Sequence, residues 1–439
     1  MKISGRILGL GAAALALGLA APVAAQSLGD QVQKQMPSLM DIYKDLHAHP
    51  ELSFMEVRSA GILAAEARKL GFTVTEKVGG TGIVAVMKNG PGPVVLVRAD
   101  MDGLPVTEQT GLPGASTVRV TTKEGVETGV MHACGHDTHM TAWIGVARLM
   151  AANKRQWSGT LVMIGQPAEE RGAGARMMLA DGLYTRFPKP EYAIAFHDAA
   201  QFPAGMIGYT PGYALANVDS VDVTVKGLGG HGAYPQATKD PIVLASRIVT
   251  ALQTLVAREI SPLDSGVVTV GSFQAGSKSN VIPETTTLLL NLRAYDDRTR
   301  QQLRHAVERI VNAECEASGS PDPPEFEYTD PFPVTDNSPD VYETVSAAFS
   351  ERFGDKAVLM EPSTGSEDFS DVPTALGVPY LYWIWGGFDP DVYHRAEADG
   401  TLSKAIPGNH ASTFAPVMEP TFRTGTSAMT VALMSYLHR

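Results

Sequence analysis

Three short apolar runs, each followed within a few residues by side chains that can bind metal or move protons, constrain this chain most strongly. The runs are 94–97, 161–164 and 193–196, and the polar residues after them are Asp100 with Asp102, Glu169 with Glu170, and His197. Continuous apolar runs of this length are typical of strands that are buried on both faces of a sheet. Ligands bind beyond the carboxyl ends of strands in open α/β sheets, so we expect the three polar clusters to meet in one crevice.

A second unit interrupts this pattern. From about Tyr213 the sequence predicts the order strand, helix, strand, strand, helix, strand, which is typical of a ferredoxin-like fold. Its strands are predicted at 221–225, 267–270, 286–292 and 325–328, and its helices at 241–258 and 299–317. We therefore predict an α/β catalytic domain over 26–212 and 329–439, with helices on both faces of a mixed sheet, and an inserted α+β satellite domain over 213–328.

The bulk composition limits the class of protein. The chain has 439 residues, too many for one typical core, and its 44% hydrophobic and 19% charged residues are those of a globular protein. The formal net charge of -12 argues against a nucleic-acid partner and against binding to anionic lipid, because both require a basic surface.

The first 25 residues are typical of a targeting segment. Lys2 and Arg6 precede an apolar run over 7–21, and Val-Ala-Ala at 23–25 gives a small-residue cleavage pattern. The run is short for a membrane span of ~20 residues. We therefore expect a cleaved signal peptide over 1–25, a periplasmic or secreted protein, and no stable membrane insertion after cleavage. An uncleaved anchor helix is the alternative.

Two clusters carry candidate metal chemistry: Met-His-Ala-Cys-Gly-His-Asp at 131–137 and Gln-Pro-Ala-Glu-Glu at 166–170. A thiol, imidazoles and paired carboxylates suit a divalent transition metal, and an uncoordinated carboxylate beside them suits metal-assisted hydrolysis. Cys134 and His136 flank one glycine, so both can face the same side of a tight turn. The clusters predict a metallohydrolase.

The two cysteines, Cys134 and Cys315, allow two interpretations. An exported protein could pair them in a disulfide. However, Cys134 lies inside the ligand cluster, whereas Cys315 lies in a predicted helix far along the chain. We predict a metal-bound thiolate at Cys134 and a buried thiol at Cys315.

Several motifs in order make the chain recognisable. They are His-Ala-His-Pro-Glu-Leu-Ser-Phe at 47–54, Arg-Ala-Asp-Met-Asp-Gly-Leu-Pro at 98–105, the two clusters above, Gly-Gly-His-Gly-Ala-Tyr-Pro at 229–235, Ser-Asn-Val-Ile-Pro at 279–283 and Gly-Ser-Glu-Asp-Phe-Ser at 365–370. Each motif alone is weak, but together they cover essentially the whole mature chain. The chain resembles the zinc-type aminoacylase/carboxypeptidase family of metallopeptidases. It is most similar to the amidohydrolase branch, with hippurate hydrolases, N-acetyl-diaminopimelate deacetylases and plant auxin-conjugate hydrolases.

The resemblance implies two divalent metal ions per subunit, with zinc favoured and manganese, cobalt or nickel as alternatives. It implies hydrolysis of the amide bond of an N-acyl amino acid, and a satellite domain used for homodimerisation and closure. Carried over residue by residue, the metal ligands are Cys134, His136, Glu170, His197 and His410. Glu169 is the general base and acid, which takes a proton from water and gives it to the leaving nitrogen. A solvated acidic turn is the alternative for the glutamate pair.

The last ligand is the least regular match. His410 lies in Asn-His-Ala-Ser-Thr-Phe-Ala-Pro at 409–416, a loosened form of the family motif, and His394 is its competitor. His132 and His139 flank the first cluster and are not expected to bind metal.

Three satellite residues match substrate-contacting positions of the family. His231 is expected to reach the active site of the partner subunit and stabilise the oxyanion. Asn280 and Arg293 are expected to hold the substrate carboxylate, for which a guanidinium is well suited. The alternatives are a turn histidine, a turn asparagine and a surface arginine.

Supporting roles are assigned to nearby acidic residues. Asp102 is expected to orient a ligand or the base, and Asp100 to be structural. Asp137 either orients His136 from behind or caps a helix. Glu367 is expected near the metals. Asp198 departs from the branch, which usually has an apolar residue there. It either supports a ligand, binds a substrate cation or is exposed.

Two other functions remain open from the sequence. A dipeptidase or carboxypeptidase on the same fold would need the same residues. A catalytically silent relative used for binding is disfavoured by the intact Glu169, although the loosened motif around His410 and the change at Asp198 favour it weakly.

Overall fold

The computed structural model describes residues 27–122 and 125–438, so the predicted signal segment lies outside the described residues. The helices are α1 (Leu28–Ala48), α2 (Val57–Lys69), α3 (His136–Ala152), α4 (Gly174–Ala180), α5 (Leu183–Arg186), α6 (Pro241–Arg258), α7 (Asp297–Ser318), α8 (Pro339–Phe353), α9 (Asp371–Thr374), α10 (Pro390–Ala398), α11 (Leu402–Ala405) and α12 (Met418–Leu437).

The strands that belong to the larger domain are β1 (Thr73–Val78), β2 (Gly82–Asn89), β3 (Val94–Asp100), β4 (Arg119–Thr121), β5 (Glu127–Gly129), β6 (Gly159–Gln166), β7 (Tyr192–Pro203), β8 (Ile207–Tyr209) and β9 (Gly212–Leu215). The strands that follow are β10 (Asn217–Lys226), β11 (Gly230–His231), β12 (Gly266–Ala275), β13 (Val281–Ile282), β14 (Thr285–Ala294), β15 (Glu325–Phe332), β16 (Thr335–Asn337), β17 (Ala357–Leu359) and β18 (Tyr380–Phe388).

The large domain is built on an eight-stranded mixed sheet in the order β1-β2-β6-β3-β7-β18-β8-β17. Its centre is parallel, because β3 pairs in parallel with β6 and β7, and β18 pairs in parallel with β7. One face packs against α1, α2, α3, α8 and α12, and the other against α4, α5 and α9. Both faces are thus covered, which explains why every residue of β18 is buried. The predicted α/β class is confirmed.

The inserted unit has four antiparallel strands in the order β12-β14-β10-β15. Along β14 the residues alternate: Leu288, Leu290 and Leu292 are buried beneath α6 and α7, whereas Asn291 and Arg293 are half-buried on the opposite face. That opposite face is turned toward the large domain, and this alternation decides which satellite residues can meet a substrate.

Two connections join the satellite sheet to the large domain. The sheet itself runs from Asn217 to Phe332. Before it, β9 pairs with β16, in the register Leu215↔Thr335. The chain therefore enters and leaves the satellite unit at neighbouring points.

Helix α6 is long and apolar enough to cross a membrane, judged by length and composition alone. Its Leu244, Ile248 and Leu252 pack in the core of the satellite unit. The opposite side exposes Val243 and Val256, at 58% and 38% of their surface. A core helix of a soluble protein passes the same test, so the finding carries no membrane assignment.

The ends of the central strands position the site. Strand β3 ends at Asp100, and β6 ends at Gln166, just before a short 3₁₀ turn over Glu169–Arg171. His197 was expected directly after a strand but lies inside β7, which continues to Pro203 because β18 pairs with it along that length.

Candidate metal centre

A glycine turn places the first two predicted ligands. Gly135 has φ +83° and precedes α3, which begins at His136. A Cβ atom at this position would lie 2.2 Å from Asp198 Oδ1. The turn needs glycine both for its left-handed backbone and for this close approach. It allows Cys134 and His136 to face one crevice.

All five predicted metal ligands meet there. Cys134 Sγ lies 3.2 Å from His410 Nε2 and 3.5 Å from His197 Nε2. Glu170 completes the group, with Oε2 3.5 Å from His410 Nε2 and Oε1 3.9 Å from His136 Nε2.

The competitor of His410 lies elsewhere. His394 is exposed on α10, where its Nδ1 is 3.4 Å from Glu397 Oε2. The structure therefore brings His410, and not His394, to the other four ligands.

The donor atoms fit a divalent cation. His136 Nε2 and Glu170 Oε1 are buried and have no hydrogen-bond partner within the described parts of the chain. They lie 3.9 Å apart, a gap that one zinc ion spans with bonds of about 2.0–2.2 Å to nitrogen and oxygen. Unpaired buried polar atoms are costly, and coordination would satisfy both.

Cys134 supports the same conclusion electrostatically. Burial, followed by the negative charges of Glu170 and Glu169, raises the pKa of the Cys134 thiol well above its ordinary value. The protein alone therefore disfavours a thiolate. A bound cation would reverse this preference, since a thiol that coordinates a metal is deprotonated.

His197 is held in a ligand-ready form. Its Nδ1 lies 2.6 Å from the Asp198 carbonyl oxygen, so Nδ1–H donates and Nε2 keeps a lone pair toward Cys134. Burial, with the neighbouring His139, lowers the pKa of His197 well below its usual value. A neutral imidazole is the form that binds metal.

Glu169 lies next to the ligand cluster but makes no close contact with a ligand atom. It is 5% exposed, and its Oε2 is 3.9 Å from His136 Nε2. Burial, and then the charges of Glu367 and Glu170, raise the pKa of the Glu169 carboxyl well above its ordinary value. A carboxyl group with a raised pKa binds a proton more readily, and this suits a general base that must later act as an acid.

Asp102 links the base to a ligand. Its Oδ1 lies 3.3 Å from His136 Nδ1 and accepts from the Glu169 backbone N–H at 3.2 Å. Its Oδ2 accepts from Ser53 Oγ at 2.6 Å and from the Glu170 N–H at 3.1 Å. Asp102 therefore holds the backbone of both glutamates and lies next to the ring of His136, whose Nδ1 makes no aligned hydrogen bond within the described residues.

Asp137 does not orient His136, and this expectation is corrected. Its Oδ2 lies 2.7 Å from His47 Nδ1, and its Oδ1 accepts from the Thr138 N–H at 2.8 Å. Successive residues of a helix point about 100° apart, so Asp137 faces away from its neighbour toward α1. Asp102 takes the place behind His136 instead.

Asp198 lies against the histidine that flanks the cluster. It is fully buried, its Oδ2 accepts from Thr138 Oγ1 at 3.0 Å, and its backbone N–H donates to His139 Nε2 at 2.9 Å. The other nitrogen of His139 lies 2.5 Å from Asp100 Oδ1. Both ring nitrogens of His139 are thus occupied by protein groups. Burial excludes an exposed Asp198, and its contacts with Thr138 and His139 favour a role in supporting the cluster.

Arg98 is a buried arginine beside the site, and sequence reasoning did not identify its role. It is fully buried, and its guanidinium donates to Asp100 Oδ2 at 2.6 Å, Gln166 Oε1 at 3.0 Å and Glu367 Oε2 at 3.0 Å. It offsets part of the negative charge around Glu169. The available signal was a single arginine inside an otherwise apolar strand.

Asn409 was also missed. Its Nδ2 donates to the carbonyl oxygens of Cys134 and Asp198, both at 3.3 Å, and its Oδ1 accepts from the Ala200 N–H at 3.2 Å. His410, which follows it, has φ +72° and donates its N–H to the Ala133 oxygen at 2.7 Å. These contacts hold the loop that carries the last ligand against the other two segments.

A cavity of about 860 Å³ opens beside the ligands. One wall is apolar and contains Phe202, Leu215, Met360, Tyr382 and Ile384. The satellite sheet contributes Ser220, Asn291, Arg293 and the carboxylate of Asp330, together with the apolar Val218 and Phe332, and Glu361 adds a second carboxylate. A substrate in this cavity meets the ligand cluster, an apolar surface and a cation.

His231 and Asn280 are placed away from this cavity. His231 ends β11 and Asn280 directly precedes β13, and the Gly232 N–H donates to the Asn280 backbone oxygen at 2.9 Å. Both residues are exposed, and neither lines the cavity. The structure therefore brings Arg293 to the ligands of its own chain, and separates it from Asn280.

Known proteins share this sequence and fold. The family described as Peptidase family M20/M25/M40 matches residues 96–399. The hippurate hydrolase of Campylobacter jejuni is 34% identical over 346 residues, which cover 76% of this chain and 86% of that protein. The thermostable carboxypeptidase 2 of Saccharolobus solfataricus is 32% identical over 418 residues, which cover 94% of this chain and 99% of that protein.

A solved structure agrees. The Bacillus subtilis YXEP protein, described as a dinuclear metal binding peptidase from the M20 family, superposes with a TM-score of 0.72 at 28% identity. The match covers 92% of this chain and 99% of that chain.

Proposed function

We propose that this chain, which belongs to Peptidase family M20/M25/M40, hydrolyses the amide bond of N-acyl amino acids at a centre of two divalent metal ions. The family match confirms the resemblance read from the motifs and makes the chain a metal-dependent hydrolase of amide bonds. One observation carries the substrate class. The ligand cluster with Glu169 and the Arg293 guanidinium border one cavity, with an apolar wall beside them.

The chemistry divides between the ions and the chain. Cys134, His136, Glu170, His197 and His410 would hold the ions, for which zinc fits the donor set. When bound, the ions supply Lewis acidity that makes water easier to deprotonate and polarises the amide carbonyl. Glu169 takes the proton from water and returns it to the leaving nitrogen. Arg293 binds the amino-acid carboxylate and sets the register of the scissile bond.

A carboxypeptidase or dipeptidase activity is the second candidate. A peptide with a free carboxyl end would use the same arginine and the same base. The similarity to thermostable carboxypeptidase 2, which spans 99% of that protein, supports this second candidate. A silent binding protein is disfavoured, because the intact Glu169 lies 3.9 Å from His136 and lines the same cavity as the other four candidate ligands.

The test is amide hydrolysis by the purified mature protein loaded with zinc or manganese. The panel contains N-acetyl, N-benzoyl and N-lauroyl amino acids together with dipeptides. We expect release of free amino acid from N-acyl substrates, and a fall of about 100-fold or more in Glu169→Gln with the metal content unchanged. Cleavage of dipeptides alone would replace the proposal by the peptidase activity.

We also propose that the protein is a homodimer joined through its satellite domain, in which His231 and Asn280 reach the partner's cavity. Both residues are exposed and lie outside the cavity of their own chain. Strand β12 is at the edge of its sheet, and an edge strand offers unpaired backbone groups to another chain. Helix α6 of the same unit also exposes the apolar side chain of Val243, which a partner subunit would cover.

Export is the last part of the proposal. Lys2, Arg6 and the apolar run behind them support a signal peptide over 1–25 and a periplasmic or secreted enzyme. N-terminal sequencing of the protein expressed with its own first 25 residues tests this. A mature chain beginning at Gln26 is expected, and an intact Met1 in the exported fraction would contradict it.

A further inference from the structure

Arg293 is a cation that lacks an anion. It is half-buried on β14, its Nε donates to Asn291 Oδ1 at 2.8 Å, and its Nη1 donates to the carbonyl oxygen of Thr364. Within the described residues no carboxylate lies within 4.0 Å of this guanidinium. Burial lowers its pKa, and no acidic neighbour opposes that effect. An anionic ligand would stabilise this guanidinium, because its charge is partly desolvated and has only neutral partners.

The contact with Arg293 fixes the orientation of the Asn291 amide. Guanidinium nitrogens only donate, so the Asn291 atom that faces Nε is the carbonyl oxygen. The amide NH₂ group must then point the other way. Asn291 lines the cavity, and no described residue accepts a hydrogen bond from its Nδ2.

A third donor lies beside this amide. Ser220 is directly opposite Asn291 in the pairing of β10 with β14, and it also lines the cavity. Directly opposed residues have Cβ atoms about 4.5–5.5 Å apart, so both side chains reach the same small ligand. The satellite sheet thus presents a guanidinium, an amide NH₂ and a hydroxyl to the cavity. Asp330 of β15 also lines the cavity, but its Oδ1 accepts a hydrogen bond from Arg171 Nε at 3.2 Å and is paired with that cation.

We propose that Asn291 is a carboxylate-binding residue that also positions Arg293, with Ser220 as its neighbour donor. Asn291 Oδ1 holds the guanidinium in place, and Nδ2–H donates to the same substrate carboxylate that Arg293 binds. The group selects substrates that end in a free carboxylate over otherwise identical neutral amides. This inference rests on the proposed function, and it assigns to Asn291 the place beside Arg293 that the sequence had suggested for Asn280.

The experiment compares two substrates that differ only at the anchored end. N-benzoylglycine carries the carboxylate and N-benzoylglycinamide does not, and release of benzoate is measured for both. Asn291→Asp keeps an acceptor for Arg293 Nε but replaces the NH₂ donor by an anionic oxygen. We expect its KM for N-benzoylglycine to rise about tenfold or more, with kcat nearly unchanged, since one hydrogen bond to a charged group is lost. Values for the amide should stay within about twofold.

A second variant, Asn291→Ala, checks that the effect of Asn291→Asp does not come from misfolding. It should lose the same preference for N-benzoylglycine over N-benzoylglycinamide. The matched control is Thr287→Ala, on the same face of β14. Thr287 Oγ1 contacts Thr224 Oγ1 at 3.2 Å, and it does not line the cavity. Its ratio of kcat/KM for acid over amide should equal that of the wild type.

An unchanged acid-over-amide ratio in both Asn291 variants of an active enzyme would overturn the inference. If the metal-loaded wild type hydrolyses neither substrate nor any member of the wider panel, the proposed function fails separately. Calorimetric binding of N-benzoylglycine to the same proteins then decides the role of Asn291. Equal affinity in wild type and Asn291→Asp would reject it, and a loss of about tenfold or more would retain it.

Discussion

Single residues decide whether the metal crevice can form. Gly135 separates two proposed ligands and also touches the carboxylate of Asp198. The sequence alone indicated a tight turn here, since the residue stands between Cys134 and His136. It did not indicate the second constraint, because Asp198 is distant in the chain.

Gly135→Ala should destabilise the fold strongly. A left-handed backbone costs a non-glycine residue about 1–2 kcal/mol, and the new Cβ would also lie 2.2 Å from Asp198 Oδ1. Gly400→Ala is the control, because Gly400 has φ +64° with no atom within 4 Å of a built Cβ. Urea unfolding should show a larger loss for Gly135→Ala by at least about 2 kcal/mol. Equal losses would mean that the Asp198 contact relaxes freely.

Arg98→Met tests the buried arginine. It would leave the carboxylates of Asp100 and Glu367 without their cation, and breaking a buried ion pair from one side costs about 3–5 kcal/mol. Arg58→Met removes an exposed pair with Asp45 and should cost at most about 1 kcal/mol. Both free energies of unfolding are measured by denaturant titration with metal present. Similar values for the two variants would contradict the structural role of Arg98.

The residue scale also shows the limit of sequence reasoning. The family resemblance predicted five metal ligands, and the structure brings those five side chains together. It gave Asp137 the wrong partner, since the direction of that side chain depends on where His47 packs. Asn291 and Asn409 were missed for the same reason. Their roles depend on contacts with distant segments of the chain and not on the residues adjacent to them in the sequence.

At the scale of elements, a buried histidine ties two helices together. His47 lies near the end of α1, and its Nδ1 is 2.7 Å from Asp137 Oδ2 on α3. Its Nε2 is 3.2 Å from Glu108 Oε1. Burial alone would lower the pKa of His47, but Asp137 and Glu108 outweigh it and raise the pKa to about 10.

This histidine predicts a loss of stability in alkaline solution. A folded pKa above the ordinary value of about 6.5 means that protonated His47 stabilises the fold fully below pH 6.5. That contribution disappears as the pH rises toward 10. The free energy of unfolding should therefore decrease more between pH 6.5 and pH 9.5 in the wild type than in His47→Gln. An identical fall in both proteins would show that His47 is neutral throughout.

Long elements were predicted well, and short ones were not. The periodicity of 241–258 gave α6 with the bounds that the structure has, because its apolar face repeats over several turns. Strands β8 and β17 have three residues each and carry too little pattern to be recognised. They form because neighbouring strands offer hydrogen-bonding edges.

At the scale of the whole molecule, the proposed dimer, in which each functional site takes His231 from the partner, makes a distinctive prediction. Glu169→Gln and His231→Ala should each be nearly inactive when pure. Mixed as unfolded chains and refolded together, half of the dimers carry one of each. One site in each such dimer would contain intact Glu169 and an intact histidine from the partner. Activity should return to about a quarter of the wild-type value.

The control adds Val243→Glu to both chains, which places a charge on the exposed side of α6. Val243 is 58% exposed in the single chain, so the substitution should not harm folding. It should reduce the dimer fraction measured by sedimentation velocity, and the activity regained on mixing should fall with it. Recovery in the absence of dimers, or dimers without recovery, would contradict the role of His231 across the interface.

The sequence predicted the insertion of one domain into another, because the periodicity changed near Tyr213 and changed back. It did not predict how the two units face each other. That arrangement depends on contacts such as the one between Arg293 and Thr364, which join segments far apart in the chain.

The pairing of β9 with β16 has a consequence for how such enzymes diversify. Leu215 and Thr335 are partners in register, so the inserted unit begins and ends at one spot on the larger domain. A segment with adjacent ends can be exchanged as a cassette without cutting the sheet that carries the metal ligands. The hydrolytic chemistry can then stay fixed, while one contiguous exchange replaces both the proposed carboxylate-binding residues Arg293 and Asn291 and the proposed dimer contact.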